Sequence, residues 1–161
     1  MTHRLCAFTV ALSLVGAIAL DASPARLVPG PPAPAPVPVI VELFTSEGCS
    51  SCPPADAFLI ELANHPIVAE ANASLITLSE HVDYWDSQGW RDPFSSASFT
   101  ARQTAYAEKS GLGEVSTPEM IVDGQIAFIG SDRPAALRAI TKAASVPKAP
   151  LALTWTASTC S

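Results

Sequence analysis

Val37-Pro38-Val39-Ile40-Val41-Glu42-Leu43-Phe44, a short loop to Gly48, Cys49-Ser50-Ser51-Cys52 and then Pro53-Pro54-Ala55-Asp56-Ala57-Phe58-Leu59 form the stretch that decides the fold. It reads as strand, tight loop, close cysteine pair and helix. Ala55, Phe58, Leu59, Leu62 and Ala63 make one apolar stripe at helical spacing, so the helix runs from about Cys52 to Ala63. Pro53 and Pro54 are tolerated at its start, where N–H groups have no intrahelical partner. A helix start offers free N–H groups and a partial positive charge, and both stabilise a thiolate. Cys49 is therefore expected to be the attacking thiolate and Cys52 the resolving thiol.

Two other readings compete. A closed zinc site needs about four ligands, often from a second close pair. Cys6, Cys160, His3, His65 and His81 are all single, so no second pair exists and no metal is expected. An inert structural disulfide gains little, because so short a loop restricts the unfolded chain least.

The chain has 161 residues, a formal charge of −6 and fifteen acidic against nine basic residues, scattered without a patch. That balance argues against a nucleic-acid partner. Met1-Thr2-His3-Arg4 followed by an apolar run from Leu5 to Leu20 and small residues to Ala25 has signal-peptide grammar, so residues 1–25 are expected to be cleaved. The run is short for a membrane span, which needs about 20 residues. No stable span is expected after cleavage, and the mature chain is expected to be exported, periplasmic or secreted. That places the cysteines where disulfides persist. Pro24 to Pro38 holds seven of the fifteen prolines, so residues 26–38 read as an extended linker.

Ser74 to Ser79 reads as a second strand. Ser95 or Ser96 caps a helix that Gly111 ends near Lys109. Met120 to Phe128 is a hairpin with a two-residue Asp123-Gly124 turn. Ser131 or Asp132 caps a last helix buried through Ala136, Leu137, Ile140 and Ala144. The order is β-α-β-α-β-β-α in one α/β domain, residues 39–146. Strand–helix–strand units imply a parallel sheet, and the hairpin adds an antiparallel edge. Leu151 to Thr156, in the tail 147–161, is a candidate further strand.

This order, with Cys-x-x-Cys at the first helix and Thr117-Pro118 before the third strand, resembles the thioredoxin fold with a mixed four-stranded central sheet. The runs Val41 to Asp56 and His81-Val82-Asp83-Tyr84-Trp85-Asp86, with Gly89-Trp90-Arg91-Asp92-Pro93-Phe94-Ser95-Ser96, are similar to the DUF1223 family, exported bacterial thioredoxin-like proteins of unassigned function. The resemblance covers Val39 to Ala144. It implies that Pro118 is cis and faces the cysteine pair. It also implies that the backbone at Thr117 pairs with an extended substrate, and that the proline keeps metals off the thiols.

Glu42 interrupts a strand expected to be covered on both faces. The resemblance offers it as a buried carboxyl that takes the proton from Cys52; an ion-paired or edge-exposed glutamate is the other reading. His81, Tyr84 and Trp85 follow the second strand, at the end where parallel sheets carry functional loops. They are candidate substrate contacts, set against a loop packed down by its own aromatics.

The expected function is thiol–disulfide exchange with protein cysteines, with a redox partner to recycle the pair and no organic cofactor. The alternative is a copper carrier using Cys49, Cys52 and His81, since thiolate and imidazole suit Cu(I). The Cys-x-x-Cys spacing and Pro118 count against it.

Overall fold

A computed structural model describes residues 34–111, 113–152 and 154. The expected signal segment, most of the expected linker and half of the expected C-terminal strand lie outside these residues. Leu151, Ala152 and Thr154, which are described, belong to no strand.

The first strand, β1 (Val37–Thr45), starts inside the expected linker. Pro38 is harmless there. The N–H of Val37 donates to the carbonyl of Asn72, just ahead of the neighbouring strand, so the missing N–H of Pro38 faces the other side, beyond the end of the next ladder. Helix α1 (Pro53–Asn64) follows. Then come β2 (Ile67–Val68), β3 (Ala73–His81), α2 (Ala97–Ser110), β4 (Glu119–Val122), β5 (Ile126–Ile129) and α3 (Arg133–Ala144).

The sheet is mixed and five-stranded, in the order β2-β3-β1-β4-β5. This corrects the expected four strands. The added strand, β2, has two residues and pairs antiparallel with Ser74 and Ala73, too short to leave a periodic signal. β1 runs parallel to β3 over nine residue pairs and antiparallel to β4 over four.

Alternation along β1 sorts the helices. Val39, Val41 and Leu43 are fully buried in a core with Ala55, Phe58 and Leu59 of α1 and Ala136, Ala139 and Ile140 of α3. Each such aliphatic side chain contributes about 2 kcal/mol when fully buried. Glu42 and Phe44 point to the opposite face, where Phe44 packs with Val82, Ile121 and the rings of Tyr84, Trp85 and Tyr106. The sheet therefore separates α1 and α3 from α2.

Local signals hold with two corrections. Ser96 accepts the Ser98 N–H at the start of α2, Gly111 closes it at φ 73°, and Asp132 caps α3 through the Ala135 N–H. Leu137 is half exposed, and Ala139 and Ala143 take its expected place in the core. The hairpin loop is Asp123 to Gln125, three residues, because Val122 pairs with Ile126. Asp123 and Gly124 adopt φ of 49° and 63°, and a Cβ on Gly124 would stand 3.0 Å from the Tyr106 ring. Among the described residues, no helix is long and apolar enough to cross a membrane.

Candidate functional site

Three strand ends meet at one edge of the sheet. β1 leaves at Thr45 into the cysteine loop and its parallel neighbour β3 leaves at His81. β4 enters beside them, with Glu119 opposite Phe44.

Cys49 and Cys52 form a disulfide. Cys49 is 2% exposed and Cys52 fully buried. The loop is closed by short backbone bonds, Cys49 N–H to Ser46 O and Cys52 N–H to Cys49 O. The expected supply of free N–H groups at the helix start is corrected here. Pro53 and Pro54 have none, and the N–H groups of Ala55 and Asp56 both go to Cys52 O. The polar neighbour of Cys49 is instead Ser51, whose Oγ lies 3.5 Å from Sγ and 3.5 Å from the carbonyl oxygen of Thr117.

The Thr117–Pro118 peptide is cis, and the Ser51 contact places the Thr117 carbonyl beside the cysteine loop. Pro118 accepts the Gly130 N–H through its carbonyl. A Cβ on Gly130 would lie 2.7 Å from Leu43 and 3.2 Å from Pro118, so only glycine lets β5 leave this close to the site. Trp85 joins the same cluster: its Nε1–H donates to Thr117 Oγ1 at 2.8 Å, and its Cβ would crowd a side chain at Gly48. Tyr84 instead turns toward α2 and donates its hydroxyl to Gln103. Burial pushes its phenol above the ordinary range.

His81 binds Asp92 through Nδ1 at 2.6 Å, with a fifth of its side chain exposed. Asp92 is 1% exposed. Its Oδ2 also accepts the Glu47 N–H at 2.8 Å, and its Oδ1 accepts the Phe94 N–H. Burial opposes the charge of Asp92, but these donors outweigh it and hold the carboxyl below its usual range. Glu47 is turned outward by Trp90, whose Nε1–H donates to its carboxylate. Trp90 and Phe94 are 59% and 64% exposed, so the aromatics of this segment are not all packed down. Asp92 escaped the sequence reasoning, although Asp92-Pro93 carries the signature of an Asx turn onto Phe94.

Glu42 is corrected. It is 1% exposed but lies on the α2 face, while Cys52 leads into α1 on the other. Its Oε1 receives Nε and Nη2 of Arg102 at 2.6 and 2.5 Å, and its Oε2 receives the Tyr106 hydroxyl at 2.8 Å. The ion-paired reading is the one the structure holds. Burial together with Glu42 pushes the Tyr106 phenol up to about 12. Beside them is Glu80, buried, with one oxygen lacking a hydrogen-bond partner among the described residues.

No three His, Cys, Asp or Glu side chains among the described residues converge as a metal-ligand group. Cys49, Cys52 and His81 thus do not assemble a copper site in this oxidised form.

Fold and site together define an α/β protein with a disulfide at its first strand–helix junction and a cis-proline loop against it. The family model described as a protein of unknown function (DUF1223) matches residues 40–160, and the chain belongs to that family. A crystal structure of an Agrobacterium tumefaciens protein, a structural-genomics target, is similar at 38% identity and a TM-score of 0.55, over 68% of this chain and 45% of that one. The chain thus spans less than half the length of that relative. No curated protein matches it.

Proposed function

We propose that the protein is an exported thiol–disulfide oxidoreductase of thioredoxin-like fold. The observation that carries the reading is the juxtaposition at Ser51, which touches both Cys49 Sγ and the carbonyl of Thr117 ahead of cis-Pro118. Export rests on the grammar of residues 1–25.

In the reducing direction the Cys49 thiolate attacks one sulfur of a substrate disulfide. The other substrate sulfur leaves as a thiolate, which gives a mixed disulfide on Cys49. Cys52 loses its proton to solvent and attacks Cys49 Sγ. The second substrate thiolate leaves, and the Cys49–Cys52 disulfide re-forms. Two electrons pass to the substrate, and a partner dithiol restores them. The reverse order oxidises a substrate dithiol. The Ser51 hydroxyl beside Cys49 Sγ supports Cys49 as the attacking atom, and the Thr117 backbone supplies an edge for an extended substrate.

The test is equilibration of the full chain with glutathione, with Cys49→Ser as control. A potential between about −270 and −120 mV, with exchange lost in the variant, supports the reading. A potential far below that window makes the pair a structural disulfide and removes it.

A further inference from the structure

A cavity of about 470 Å³ opens at the other end of β1 from the disulfide, within the usual range for small-ligand pockets, about 300–1,000 Å³. Ile40, Val122, Ile126 and Val146 supply apolar wall. Glu42 and Arg102 stand on one side, Asp123, Lys142 and Lys148 on the other.

The acids here are already engaged. Both oxygens of Glu42 are taken, by Arg102 and by the Tyr106 hydroxyl. Asp123 accepts the Ile40 N–H through Oδ1 and pairs with Lys148 through Oδ2. The donors do have spare capacity. Arg102 uses Nε and Nη2, which leaves Nη1 without a partner among the described residues. Lys142 forms no ion pair or hydrogen bond through its ammonium group among them. The two lining ion pairs cancel, so the charge left over is one cation. For a ligand that donates, the lining offers the neutral Gln125 side chain, whereas its unpaired charge is a cation. A ligand that accepts, and carries an apolar body, finds both of its needs met.

We propose that this cavity is a binding site for a small amphipathic monoanion, a carboxylate on an apolar chain. The head lies toward Lys142 and Arg102 and the chain lies along Ile40, Ile126 and Val146. The site is independent of the disulfide chemistry.

The experiment is calorimetric titration of the full, oxidised chain with octanoate, alongside 1-octanol, acetate and octylammonium. Octanoate is expected to give a saturable single-site isotherm. Acetate and octanol should bind at least about tenfold more weakly, because one lacks the buried chain and the other the charge. Octylammonium should not bind. Lys142→Ala, at an exposed position, should weaken octanoate about fivefold and leave octanol unchanged. Failure of octanoate to bind, equal binding of octylammonium, or a Lys142→Ala isotherm identical to wild type would each overturn the proposal.

Discussion

The carboxylate of Asp92 holds the ring of His81 at 2.6 Å, and the same oxygen holds the backbone of Glu47, forty-five residues away in sequence. An ionised carboxylate only accepts, so His81 carries its hydrogen on Nδ1 and leaves Nε2 free. The segment after β3 is thereby fastened to the loop that carries Cys49.

Asp92→Asn should loosen that fastening. The carboxyl sits below its ordinary pKa in the fold, so its contribution is present above the unfolded value and lost as pH falls through the folded one. The variant should lose about 2 kcal/mol at pH 7, and its acid-unfolding curve should be flatter below about pH 4. Urea denaturation at several pH values measures both. An unchanged acid limb would show that Asp92 contributes nothing through its charge.

Glu80 has the opposite sign. Burial, then the neighbouring Glu42, raises its pKa to about 7 against the pull of Arg102. A raised carboxyl contributes fully below its unfolded value and loses that contribution as pH rises through about 7. Glu80→Gln should therefore be more stable than wild type by about 1 kcal/mol at pH 8, having no buried orphan oxygen to charge. At pH 5 the two proteins should be alike. Thermal unfolding at the two pH values decides it.

Arg102→Met leaves Glu42 buried without its counter-charge, at an expected cost of about 3–5 kcal/mol. Adding Glu42→Gln should recover more than half of that loss, since the uncompensated charge is gone. A double-mutant cycle by denaturant unfolding gives the coupling. Additive losses would mean the pair does not act as a unit.

Ser51→Ala removes the hydroxyl 3.5 Å from Cys49 Sγ. The helix start gives this sulfur no free N–H, so loss of the hydroxyl should slow alkylation of Cys49 in the reduced protein at pH 7 by about threefold. The rate of thiol alkylation after reduction checks it. Ser50→Ala, with no recorded contact to Cys49, is the control.

Local chemistry was legible wherever it was short-range. The alternation of Val39, Val41 and Leu43, the capping by Ser96 and Gly111, and the turn at Asp123-Gly124 each act within a few residues. The Cys-x-x-Cys loop and the cis bond at Thr117–Pro118 were placed correctly beside one another. What escaped depends on partners far along the chain. The face that Glu42 presents follows from its parity with Leu43, but Arg102, its partner, lies sixty residues on. Asp92 meets Glu47 only after β1 and β3 are aligned. The loss of N–H donors at α1 was readable from Pro53-Pro54, since two prolines in a first turn remove the groups that a thiolate there would use.

The β1 ladder is uneven along its length. Val41 to Phe44 are flanked by strands on both sides, while Val37 to Val39 are paired only with β3. The sheet is thus a plank clamped at the disulfide end and freer at the other. Amide protons of residues 41–44 should outlast those of Val37 and Val39 in deuterated solvent.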